Sequence, residues 1–148
     1  MGFEAWEVDE SPDGLEALLT EVRKANRKAI VQGFGGKDPP NATLVKMVAA
    51  QTLAAAKAGA TLAEKPELDL LLRLAGTRQI GEALKRAGYR SGKQRLFLVA
   101  AWEGAASEPK TLKRVASRDR RFRRLEERPP TEEDLDSVER AALLAASV

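Results

Sequence analysis

The chain of 148 residues contains no cysteine and no histidine. Without cysteine there are no disulfides, no thiolate nucleophile and no zinc–sulfur site. Without histidine the commonest general base and the commonest metal ligand are both gone. Catalysis would have to rest on carboxylates, lysine or hydroxyls, and the acids fall mostly on helix surfaces, as at Glu132, Glu133 and Asp134. A phosphate-cradling loop is lacking too: the Gly33–Lys37 segment, GFGGK, is too short for one and has no Ser or Thr after its lysine. No apolar run approaches the roughly 18 residues that a membrane span requires. The start, MGFEAWEVDE, has acids where a signal peptide carries a basic and then an apolar stretch. Trp6 stands where a myristoylation signal needs Ser or Thr. The expectation is a cytoplasmic, non-enzymatic binding protein that uses no cofactor and no metal.

What is present reads as one α/β domain over residues 1–148, with 43% hydrophobic and 32% charged residues. Three segments have strand character. They are Phe3–Val8, Ala29–Phe34, and Leu96–Trp102, the last apolar on both faces and so suited to the middle of a sheet. Between them, Ser11-Pro12 starts a helix whose apolar face is Leu15, Leu18, Leu19 and Val22. A second helix spans about Asn41 to Ala58, with Ala49, Ala50, Ala54 and Ala55 as a close-packing face and Gly59 as its stop. Pro66 opens a third helix, with Leu68, Leu71, Leu72 and Ala75 on one side, that ends at Gly76. Thr77 caps a fourth, in which Ile80, Ala83, Leu84 and Ala87 repeat the spacing until Gly88. Trp6 and Trp102 are expected in the core. The order β-α-β-α-α-α-β-α-α predicts a small sheet of three to four strands packed with several helices. Were the first two strands direct neighbours, they would be parallel.

The positive charge is local. Nine of the 25 Lys and Arg residues lie between Lys110 and Arg128, against three acids, so this segment carries +6 and the remainder −3. It reads either as a solvated helix face or, with Phe122 among arginines, as a nucleic-acid contact. After it, Thr131 with three acids behind it starts a last helix, whose stripe is Leu135, Val138, Ala142 and Ala145.

The block from Val48 to Ala100 resembles the small Cgi-type subunit of the KEOPS complex, the family of the PRPK-binding protein (TPRKB). The resemblance lies in an alanine-rich helix followed by Leu70, Leu71, Leu72, Gly76, Arg78, Gln79, Ile80, Ala83 and Gly88, then an apolar strand. The chain departs from the family in lacking a histidine early in the alanine-rich helix and in its heavier basic run. The resemblance implies a non-catalytic subunit assisting threonylcarbamoyladenosine synthesis in tRNA, with two partners: the complex's small kinase and the 3′ tail of tRNA. It implies tRNA binding by Arg78 and Gln79, with Lys57 and Arg86 as phosphate neighbours, and kinase binding by Leu135, Val138, Ala142 and Ala145. The alternative reading of residues 66–88 is a DNA-binding helix-turn-helix with Thr77–Ala87 as recognition helix. Its apolar Ile80, Ala83, Leu84 and Ala87 count against that reading.

Overall fold

The computed structural model describes residues 1–9, 15–89 and 94–146; the expected Ser11-Pro12 helix start lies outside them. Four strands, β1 (Gly2–Val8), β2 (Ile30–Gly36), β3 (Arg95–Trp102) and β4 (Phe122–Arg124), form one sheet in the order β2-β3-β1-β4. The helices are α1 (Leu15–Ala25), α2 (Ala42–Lys57), α3 (Pro66–Ala75), α4 (Ile80–Ala87), α5 (Lys110–Arg118) and α6 (Glu132–Leu143), with a 3-10 turn at Ala105–Ser107. Among the described residues no helix is long and apolar enough to cross a membrane.

All three strand pairings are antiparallel. The first two strands are therefore not neighbours: β3 lies between them, so that they run parallel to each other at one remove. The apolar character of β3 on both sides has its reason here. Leu96, Leu98, Ala100 and Trp102 face one core with Trp6, Val8 and Val31, covered by Leu15, Leu19 and Val22 of α1 and Leu112 and Ala116 of α5. Phe97, Val99 and Ala101 face the other core, covered by α2, α3 and α6 and by Ala87 of α4. The result is three layers, helix on sheet on helix. Both tryptophans are buried, as expected.

Several boundaries come from local chemistry. Asn41 caps α2 by accepting the Thr43 N–H at 3.0 Å. Pro66 sits in the first turn of α3, where its missing N–H costs nothing. Gly76 ends α3 with φ at +71°; its N–H and that of Thr77 both reach the Leu72 carbonyl. A Cβ there would be strained and would lie 3.1 Å from Cδ of Arg140 on α6. Thr131 and Asp134 close a reciprocal capping box on α6. The Thr131 N–H, and then the Asn41 amide, hold the Asp134 carboxyl below its ordinary pKa.

Four expectations are corrected. The basic segment is not helical throughout: it breaks after α5 and returns as edge strand β4, with Phe122 buried edge-on against Trp6. A benzyl group at that position removes more apolar surface from water inside than outside, so Phe122 is a core residue and not a stacking platform. The inner face of α2 is Ala42, Val45, Val48, Ala49, Thr52 and Leu53; Ala50 and Ala54 are exposed. Thr77 does not cap a helical N–H: its hydroxyl takes the N–H of Gln79, and α4 starts at Ile80. Ile80 and Leu84 remain 49% and 51% exposed, since α4 buries only Ala83 and Ala87.

Candidate functional site

The site begins with a buried ion pair that shapes the helices around it. Asp69 and Arg73 stand one turn apart on α3, 0% and 4% exposed, with Arg73 Nε 2.7 Å from Asp69 Oδ1. Burying a carboxylate is tolerable only when its lone pairs are filled. Here Thr52 Oγ1 of α2 donates at 2.6 Å and the Leu62 N–H at 2.8 Å. Arg73 also donates to the Ala141 carbonyl at 3.2 Å, and Gln51 of α2 donates to the Val138 carbonyl at 3.0 Å. Helix α6 is thus fastened along its length to α3 and α2. The sequence reading missed this pair, although the Asp-to-Arg spacing of four on a leucine-rich helix was its visible signal.

With α3 fixed, the left-handed turn at Gly76 carries the chain outward. Arg78 and Gln79 follow in the bend before α4, with Gln79 at the N-cap position and its side chain making no cap bond. They therefore precede the helix and do not belong to its first turn. Both are exposed, and neither side chain makes a hydrogen bond or ion pair with a described residue. Arg86 spans the corner from α4: it reaches the Ala75 carbonyl at 3.4 Å and pairs with Glu82 at 3.5 Å. Arg140 lies over Gly76 from the α6 side. Three guanidinium groups accordingly belong to the surroundings of one turn.

Lys57 does not join them. The Thr52–Asp69 and Gln51–Arg73 bonds show that α2 and α3 run antiparallel. Lys57, in the last turn of α2, therefore lies near the start of α3, away from the corner by about the 15 Å length of that ten-residue helix.

On α6 the four expected residues differ in what they offer. Val138 packs against the protein's own core, while Leu135 is 45% exposed. Ala142 is exposed, and Ala145 is exposed just past the helix end. The inward face is instead Val138 with buried Ala141, rotated from the stripe read in the sequence.

The basic run sorts into two groups. On β4, Arg123 pairs with Glu7 at 3.2 Å and Asp9 at 2.7 Å, and Arg124 pairs with Glu4. Arg121 holds the Asp119 carboxyl down at about 2 through side-chain and backbone hydrogen bonds. Lys113 turns inward, 5.5 Å from the Trp102 ring centre, and pairs with Glu108, which is lowered as Lys113 is raised. These four cations satisfy local acids. Lys110, Arg114, Arg118, Arg120 and Arg128 are exposed and make no ion pair with a described residue.

No protein-family model matches the chain, and no curated protein matches it.

Proposed function

We propose that this chain is a non-catalytic, cytoplasmic subunit of a KEOPS-type tRNA-modification complex. In this reading it binds the complex's small kinase through α6 and the 3′ tail of tRNA at the α3–α4 corner. The observation that carries the reading is the corner itself. A leucine-rich helix ends at a left-handed glycine, and Arg78 and Gln79 then stand exposed with no side-chain partner among the described residues. A guanidinium in that position can meet a phosphate or a base edge, and a carboxamide offers both donor and acceptor to an unstacked base. Arg86 and Arg140 add positive charge beside them.

The corner is tested by Arg78→Ala. It is expected to weaken binding of intact tRNA by about 1–3 kcal/mol, the range of one good charged contact, with little change in thermal stability. Removing the terminal nucleotides of the tRNA should cost the wild type a similar amount, and the two losses should overlap instead of adding. Full additivity would put the tail elsewhere. Competition with duplex DNA in the same assay discriminates against the helix-turn-helix alternative.

For the kinase, Leu135 is the sound probe, because Val138→Asp would bury a charge in this protein's own core. Leu135→Asp is expected to reduce kinase affinity about tenfold or more, equivalent to about 1.4 kcal/mol. Circular dichroism should remain that of the wild type. Undiminished affinity in the folded variant would remove α6 from the interface.

A further inference from the structure

The outer cations of α5 make no ion pair with a described residue, although Lys110 stands near enough to Glu108 to help Lys113 hold that carboxyl below its ordinary pKa. The nine residues of the helix, KTLKRVASR, include four bases and no acid. Leu112 and Ala116 point into the core beneath Trp6 and Trp102, and Lys113 is turned in toward Glu108. The outward side is left with Lys110, Arg114 and Arg118, each four residues after the last and so aligned along one stripe. Like charges at this spacing repel each other. Lys110 also stands in the first turn, the positive end of the helix dipole, where an acid would be favourable. Arg120 continues the exposed charge just beyond the helix end.

We infer that the outer face of α5 is a second RNA-binding surface, which takes the phosphodiester backbone of the tRNA body. It rests on the reading that RNA is the ligand but not on the placement of the 3′ tail. Two points favour a phosphate backbone. The first is complementarity: a row of cations along about 12 Å of helix, none of them in an ion pair with a described residue, suits a row of anions. The second is composition. Thr111 and Ser117 are the exposed residues between the cations, and the half-buried Val115 packs against the core, so α5 offers no fully exposed apolar group to a lipid surface and no aromatic anchor to a protein partner. The adjoining groove of about 490 Å³ is of mixed character: Lys113, Arg114, Ser117 and Arg124 line it, but so do Glu4, Ala116 and the rings of Trp6 and Phe122.

The two surfaces would act from opposite sides of the molecule. Helix α5 covers one face of the sheet, whereas α3, α4 and α6 cover the other. An RNA held at both must therefore pass around the rim of the sheet, where β4 is an edge strand with paired arginines.

The test is a variant carrying Lys110→Gln, Arg114→Gln and Arg118→Gln, titrated over a salt series with intact tRNA and with tRNA lacking its 3′-terminal nucleotides. The slope of log affinity against log salt is expected to lose about two to three units of steepness with both RNAs, at about 0.7–0.9 per phosphate contact. The effect of trimming the tail should be the same in variant and wild type. If trimming costs nothing while the slope still falls, the tail placement fails and this surface stands. An unchanged slope in a folded variant overturns the proposal. So does a variant that loses binding to anionic phospholipid vesicles while keeping its full affinity for RNA. Should the triple variant not fold, Arg114→Gln alone must reduce the slope by about 0.7–0.9, and no reduction overturns the proposal equally.

Discussion

Replacing Arg73 with methionine is expected to cost about 3–5 kcal/mol of folding stability, the range seen when one member of a buried ion pair is removed. Methionine fills much of the arginine's volume, so the loss measures charge and hydrogen bonding more than a cavity. Asp69 would keep Thr52 Oγ1 and the Leu62 N–H as donors but would lose the guanidinium at 2.7 Å. Two acceptors on other helices, the Ala141 carbonyl and Gln51 Oε1, would lose theirs as well. Urea denaturation checks this, and a loss below about 1 kcal/mol would show that the pair is relaxed by water in solution. Arg73→Met combined with Asp69→Leu should recover part of the deficit, because the uncompensated carboxylate goes too.

Asn41→Ala should lose about 2–3 kcal/mol, well above the cost of an ordinary helix cap, which is about 1. The reason is that Asn41 serves two segments. Its Oδ1 accepts the N–H of Thr43, at the start of α2, and the N–H of Arg128, each at 3.0 Å. Its Nδ2 donates to the Arg128 carbonyl at 3.0 Å and to Asp134 Oδ2 at 3.2 Å. Alanine would open the α2 cap and also release the link between β4 and α6. Asn41→Asp separates the two functions: it retains the capping acceptor, loses the donors, and sets a second carboxylate beside Asp134. Nearly wild-type stability in Asn41→Asp would mean that only the cap matters.

The helices of the central block were legible because their ends are written in single residues. Asn41, Pro66, Gly76 and Gly88 each act through an N–H, a fixed φ or a missing Cβ, all local properties. The central place of β3 was legible for a similar reason, since an uninterrupted apolar run needs cover on both faces. Strand order was not, because the pairing of β3 with both β1 and β2 depends on segments far apart in the chain. Strand β4 escaped notice because it has three residues, too few for a period to emerge, and two are arginines that add to a helix-like basic run. Ile80 was misplaced because periodicity identifies which residues share a face but not how far that face is covered. Of the candidate site, Arg78 and Gln79 were picked out through the family resemblance, while the glycine ahead of them marked only the turn. Arg140 could not be picked out, because it reaches Gly76 only through the packing of α6.

The register of β1 against β3 has a consequence in time. Gly2 lies opposite Trp102, and Val8 opposite Leu96, so the first strand waits for a partner synthesised about a hundred residues later. At ribosomal speeds of about 5–20 residues per second, that interval is on the order of 5–20 seconds. The α2–α3 hairpin, whose contacts span about twenty residues, can close in the meantime. Through that interval the apolar side of β1, with Trp6 on it, has no sheet to join, and it is then that a chaperone or a neighbouring nascent chain has its opportunity to bind.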